Sequence, residues 1–337
     1  QALYFKDFAA SAQFYLTALS FDHNNAALLQ QAFYTQYQLG NIDAAATLAR
    51  EIELLNITSR FSSEPATAQA ILMEDWDAVL VLADRVAENI ESQPVATIIR
   101  AWALVAKGQG AAGLSHLIQA GNANISGNKS APDVFIIQAA RLANYLGDTG
   151  EMFKLADQLF VNNDLSSQLI LQLASLYAQH QKTSKIEKLI SQLPNGFNKL
   201  AIRKALSNQK SSPKIIDHIA AGIIDASLIN SHSGAENMLN ARLGLALYLN
   251  PQSNRARFLL AQGLSEMDQK QSASKQLAAI DINSIWGQPR LLLEVNLDRP
   301  DNIERAINRL QSSLDKNHKN AFLQKELGDL YRISDQL

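Results

Sequence analysis

Helical segments recur along this chain at a spacing of about 34 residues. That period restricts the fold more than any other feature, because one helix pair cannot bury its apolar face except against the next. The clearest stretch has Gly234, Ala246 and Pro251 where such a pair places the glycine between its helices, the small residue of its second helix and its closing proline. A step of about one period carries Ala246 to Ile280, and a second of nearly that length reaches Ser313. Near the C-terminus Leu327, Gly328 and Tyr331 give an L-G-x-x-Y pattern, the core of a first helix. At the other end, residues 6–25 read as a second helix with Tyr15 and Ala18 on its packing face. Residues 40–56 repeat it with Ala45, Ala49 and Ile52.

Antiparallel helices approach closely only where one side is small, so glycine or alanine must face a bulky partner. Gly40, Gly108, Gly147 and Gly234 each fall between two helical periods, where the chain reverses through a left-handed residue. Degenerate units follow around Trp76, over 93–120 around Trp102, over 133–162 and over 166–193. The two tryptophans are expected in the core. Residues 121–132, rich in Gly, Asn and Ser, read as an exposed loop. Residues 193–213, with a short helix between PNG and NQKSSP, read as an irregular connector or hinge, or equally as one irregular repeat.

The expected fold is therefore all-α: an α-solenoid of tetratricopeptide-like antiparallel helix pairs in a right-handed superhelix. Its expected division is an array over 1–193, a connector over 194–213 and a second array over 214–337 whose last repeat is cut short. Residue 1 falls partway through a first helix, so the natural protein is expected to extend beyond both ends, with any targeting sequence upstream.

Composition removes several functions. Hydrophobic residues are 47% and charged residues 18% of the 337, enough apolar surface for a continuous core. The net charge of −2, from scattered residues, offers no footprint for a phosphate backbone or an anionic bilayer. The chain has no cysteine, which excludes disulfides, thiolate metal sites and cysteine nucleophiles. No apolar run approaches the ~20 residues that span a bilayer.

Chemistry-bearing motifs are missing. None of the six histidines has a second ligand at metal-binding spacing. His218 adjoins Asp217, but neighbours on a helix point about 100° apart and cannot form a dyad. Gly108, Gly110 and Gly113 follow a helix rather than a strand, so they read as an interhelix turn with Gly113 making room for packing, not as a dinucleotide loop. Glu74, Asp75 and Asp77 lie at a helix start, where they complement the macrodipole. Neither a catalytic residue nor a cofactor or metal is expected.

In such an array the first helix of each pair lines a concave channel able to receive a peptide. The channel positions are Gln30, Tyr34, Tyr37 and Gln38 in an N-terminal unit and Arg255, Phe258 and Gln262 in a C-terminal one. Tyr and Arg are residue types that anchor interfaces, and an amide-rich channel favours main-chain recognition. The expected function is a non-catalytic scaffold or adaptor for a protein or peptide partner, with no nucleic acid and no membrane insertion.

The order of KDFAASAQFYLTALSFDHNNAALLQQAF, IDHIAAGIIDASL leading into GAENMLNARLGLALYLNPQSNRARFLLAQ, and FLQKELGDLY resembles alphaproteobacterial tetratricopeptide-repeat proteins of the cell envelope. Phe33, His23 and Met152 depart from the repeat consensus. The resemblance implies a signal peptide, export to the periplasm and a role in envelope maintenance; a cytoplasmic location is the alternative. A second reading makes the solenoid the superhelical arm of a larger envelope enzyme acting on glycan, with its catalytic domain outside this sequence. An RNA-binding helical repeat would require a basic groove, which 30 basic against 32 acidic residues do not supply.

Overall fold

The computed structural model describes residues 8–123, 131–161, 165–208, 213–229, 236–299, 301–316 and 320–334. Among them the chain forms helices and turns and no strand. The expected all-α solenoid of packed helix pairs is what forms. The chain divides into two compact units: residues 1–164 with 211–256, and residues 165–210 with 257–337.

In the first unit nine helices follow one another, each packed on its neighbour: α1 (Phe8–Leu19), α2 (Ala26–Gln38), α3 (Ile42–Leu54), α4 (Ser63–Leu72), α5 (Trp76–Ala87), α6 (Gln93–Ala106), α7 (Gly110–Asn122), α8 (Ala131–Tyr145) and α9 (Thr149–Phe160). Three of these helices, α2, α5 and α9, start on side-chain caps. Asn25 accepts from the amides of Ala27 and Leu28, Asp75 from that of Ala78 and Asp148 from that of Glu151, each satisfying donors a helix leaves open. The turn after α2, α6 and α8 closes on Gly40, Gly108 and Gly147, at φ of +74°, +77° and +80°. Gly234 lies outside the described residues.

The expected role of Gly113 holds: a Cβ there would stand 2.4 Å from the carbonyl oxygen of Ala101. Part of the expected loop at 121–132 is helical instead. Gly121 is buried in the last turn of α7 against Ile136, and Ala131 and Pro132 open α8; residues 124–130 lie outside the described residues.

Two further helices, α10 (Ile215–Ile229) and α11 (Glu236–Leu249), form a hairpin that does not extend this array. α10 packs on α6 and α8, and α11 on α2, α3 and α4. The hairpin thus lies on the face that α2, α4, α6 and α8 share. Close approach depends on glycine. A Cβ on Gly244 would meet Gly40 Cα at 2.9 Å, and one on Gly222 would meet Ile98 Cγ2 at 2.3 Å. The residues that gave the clearest repeat, Ala246 among them, therefore belong to a hairpin laid across the solenoid.

The expected division at 193 and 214 does not coincide with the units. Unit 2 contains α12 (Ser167–Gln179), α13 (Thr183–Gln192) and α14 (Lys199–Ser207), the last being the short helix expected within 193–213. α15 (Asn254–Glu266) begins in unit 1 and continues into unit 2. Unit 2 then adds α16 (Lys270–Ala278), α17 (Gly287–Asp298), α18 (Ile303–Lys316) and α19 (Ala321–Ile333). Val295, Ala306, Leu310, Leu314, Leu323 and Leu330 form the core of the last three, with Leu327 and Tyr331 of the L-G-x-x-Y pattern packed against it.

Candidate functional site

The face expected to receive a guest in unit 1 is held closed by buried charge. Glu64 of α4 pairs with Arg242 of α11 at 2.8 Å, each side chain only 2% exposed. The carboxylate also accepts from the Tyr37 hydroxyl and, at 2.7 Å, from the Ser92 hydroxyl. Arg242 donates to the Ser92 oxygen at 2.9 Å and stacks over the Phe61 ring at 5.6 Å. Burial alone would raise the Glu64 pKa, but the Arg242 charge and the converging hydrogen bonds outweigh it and hold the carboxyl below its ordinary value. Burial, then the neighbouring carboxylate, push the Tyr37 hydroxyl well up.

α10 carries the opposite sign. Asp225 is 2% exposed and pairs with Arg141 of α8 at 3.3 Å and Arg255 at 2.6 Å, while accepting from Gln138 at 2.6 Å. Two turns earlier on α10, His218 stacks on Trp102 with ring centroids 4.3 Å apart and meets Tyr145 edge-on. Burial, then the Arg141 charge, lower the His218 pKa to about 3. Asp217 accepts from the Lys214 backbone amide at 2.9 Å, so these neighbours play separate structural parts, as their helical spacing requires.

The candidate residues of α2 are divided by this arrangement. Tyr37 is fully buried beneath the hairpin, and Gln38, 8% exposed, donates to the Met238 sulfur. Neither presents a side chain to a guest, which corrects the expectation of an open channel at these two positions: the chain's own α11 covers them. Tyr34 packs edge-on against Phe8, and Gln30 donates to the Thr58 carbonyl at 2.7 Å. In the C-terminal set, Arg255 belongs to unit 1 and pairs with Asp225, Phe258 packs on Trp286 with centroids 5.2 Å apart, and Gln262 is exposed. The structure does not gather these seven residues into one site.

An open cleft does exist in unit 2. It has a volume of about 1190 Å³ and is lined by α14 with its N-cap (Asn198, Ala201, Lys204), α17 (Gln288, Leu291, Glu294), α18 (Arg305, Asn308, Arg309, Ser312) and α19 with its N-cap (Asn320, Leu323). Its shape depends on Gly287, where a Cβ would stand 1.9 Å from the Ile282 carbonyl oxygen. Arg290 and Arg309 flank Glu294 at 3.0 and 2.9 Å. Gln288 donates to the Asn195 carbonyl at 3.1 Å and accepts from Asn320 at 2.8 Å, fixing α17 to α19 and to the turn before α14. A smaller recess of about 280 Å³ shares Asn198, Gln288 and Asn320 with the cleft and adds Phe197, Leu200 and Phe322.

The repeat frame missed the α18 residues because it assigned the channel to first helices only, and in that frame α18 is a second helix. The available signal was α18, where Arg305, Asn308, Arg309 and Ser312 share one polar face opposite Ala306, Ile307 and Leu310. The buried charges had a signal too: Asp225 and Arg242 each stand mid-helix among apolar residues, whereas the other charges of those helices, Asp217 and Glu236, lie in the first turn.

No protein-family model matches the chain, and a comparison with curated proteins gives no match either. Among the described residues no helix is long and apolar enough to cross a membrane.

Proposed function

We propose that this chain is a non-catalytic scaffold or adaptor that binds a peptide or an extended segment of a protein partner in the cleft of unit 2. The observation that carries this reading is the cleft itself, about 1190 Å³ between the helices of unit 2. That exceeds the ~300–1000 Å³ of ordinary small-molecule pockets and suits a polymeric guest. Its amide side chains match the hydrogen-bonding groups of a peptide backbone. The resemblance to envelope repeat proteins supplies the setting: a periplasmic adaptor in envelope maintenance.

The test is selection from a random peptide display library against the whole chain, with the variant Ser312→Trp as the counter-target. Ser312 is exposed on α18 and lines the cleft, so the indole fills the site without entering the core. The reading expects enriched peptides that bind the parent chain and not the variant. Enriched peptides that bind both equally, or no enrichment at all, contradict it.

A further inference from the structure

Resting on the reading of unit 2 as a peptide receptor, we infer that its cleft selects extended peptides carrying acidic side chains beside one apolar residue. Four cations line the cleft, Lys204, Arg290, Arg305 and Arg309, against the single carboxylate of Glu294. Glu294 is shared by Arg290 and Arg309. Asp298, one turn further along α17, is shared by Arg309 at 2.5 Å and Arg305 at 3.5 Å. Three arginines thus hold two carboxylates, and Lys204, exposed on α14, lies outside that network. The site keeps a positive surplus in a chain whose net charge is −2.

The neutral groups have the same bias. Asn198 and Asn320 each use the carboxamide oxygen to cap a helix, accepting from Ala201 at 3.0 Å and Leu323 at 3.2 Å. What they retain for a guest is chiefly donor capacity: the amide hydrogens of Asn198, and on Asn320 the one hydrogen not given to Gln288. Cations and donors in excess call for a guest rich in acceptors and negative charge.

The adjoining recess sets the second requirement. Phe197, Leu200 and Phe322 line it, Leu200 being 72% exposed, and an apolar side chain seated there would cover them. Asn198, Gln288 and Asn320 border both cavities, so one strand of peptide can place an acidic residue in the cleft and an apolar one in the recess. A nucleic acid fits less well: two surplus cations fall far short of the roughly six to ten phosphate contacts that sustain backbone binding.

The experiment titrates the whole chain, by fluorescence anisotropy, with a fluorescein-labelled dodecapeptide in which one Leu sits between runs of Glu and Gly. Counterparts carry Gln or Lys in place of every Glu. The Glu form is expected to bind about tenfold more tightly than the Gln form, since each partly exposed ion pair contributes modestly. That difference narrows as salt rises from about 50 to about 300 mM, and the Lys form does not bind.

The double variant K204E/R305E reverses the order of the Glu and Lys forms, and the milder K204Q/R305Q brings the Glu and Gln forms together. Circular dichroism establishes that both variants are folded. Equal binding of the Glu and Gln forms, each abolished by Ser312→Trp, overturns the acidic preference and leaves peptide binding in place. Tighter binding of a labelled single-stranded RNA than of the Glu form also overturns it. Absence of binding by all three peptides overturns the peptide receptor as well.

Discussion

Glu64 and Arg242 meet at 2.8 Å although 178 positions separate them in the chain, and neither is exposed beyond 2%. A pair of this kind gains little over an apolar pair of the same volume, because both charges must leave water. Breaking it is another matter, since the survivor is left charged and buried.

The first prediction follows from that asymmetry. Glu64→Gln or Arg242→Met alone should cost about 3–5 kcal/mol in denaturant unfolding of the whole chain. The double variant Glu64→Leu with Arg242→Met should lose less than either single change, its residual cost set by the Tyr37 and Ser92 hydroxyls left without an acceptor. Losses that simply add would show that the two side chains act independently.

Stability should also depend on pH through His218. Its pKa falls from 6.5 to about 3 on folding, because burial and then Arg141 disfavour the charged ring. The unfolded chain therefore takes up a proton below pH 6.5 that the folded chain refuses until about pH 3. Stability contributed by the neutral ring is intact above pH 6.5 and declines as pH falls toward 3, by at most ~1.4 kcal/mol per pH unit. Glu64, held below 4.5, adds its own loss in more acid solution, so from pH 6.5 to 4.5 the histidines act without it. His218→Phe should flatten the slope of unfolding free energy there, leaving a remainder from His116, also lowered by burial and then Arg100. An unchanged slope would mean that the ring protonates in the folded chain.

Two glycines on helices should respond in opposite directions. Gly244→Val places a branched side chain where a Cβ already meets Gly40 Cα at 2.9 Å, and should destabilise unit 1 by about 2 kcal/mol or more as α11 is forced off α2. Gly328 has nothing within 4 Å of its Cβ position, so Gly328→Ala should stabilise α19 by up to ~1 kcal/mol. Thermal melts of the two variants check both signs.

Gly287→Ala should act on the cleft. Its methyl group would collide with the Ile282 carbonyl at 1.9 Å, and the backbone must shift because carbonyl oxygens cannot rotate away as side chains do. We expect a lower melting temperature for unit 2 and loss of affinity for peptides selected against the parent chain. Unchanged affinity would show that the turn over 282–287 does not shape the site.

What could be read from the residues alone was local. Gly40, Gly108 and Gly147 marked true reversals, and the α6–α7 and α12–α13 pairs lie where the repeat placed them, because turn chemistry and helical period act over a few residues. Gly328 matched the repeat pattern yet crowds nothing, so a motif letter did not guarantee its packing role. The larger departure came from Ala246 and its neighbours. Their pattern fixed a helix hairpin but not which surface it would cover, and contacts such as Glu64 with Arg242 form across 178 residues. For the same reason Tyr37, correctly placed on α2, turned out to be a buried partner of Glu64.

α10 and α11 occupy the face that α2, α4, α6 and α8 share in unit 1, and the proposed guest site is the cleft of unit 2. Hydrogen–deuterium exchange with and without a saturating selected peptide tests it most directly, since amide protection reports where the guest sits. Slowed exchange is expected in α14, α17, α18 and the start of α19, with α2, α4 and α11 unchanged. Peptide-dependent protection along α2 and α4, or loss of protection in α11 as the hairpin lifts away, would contradict it.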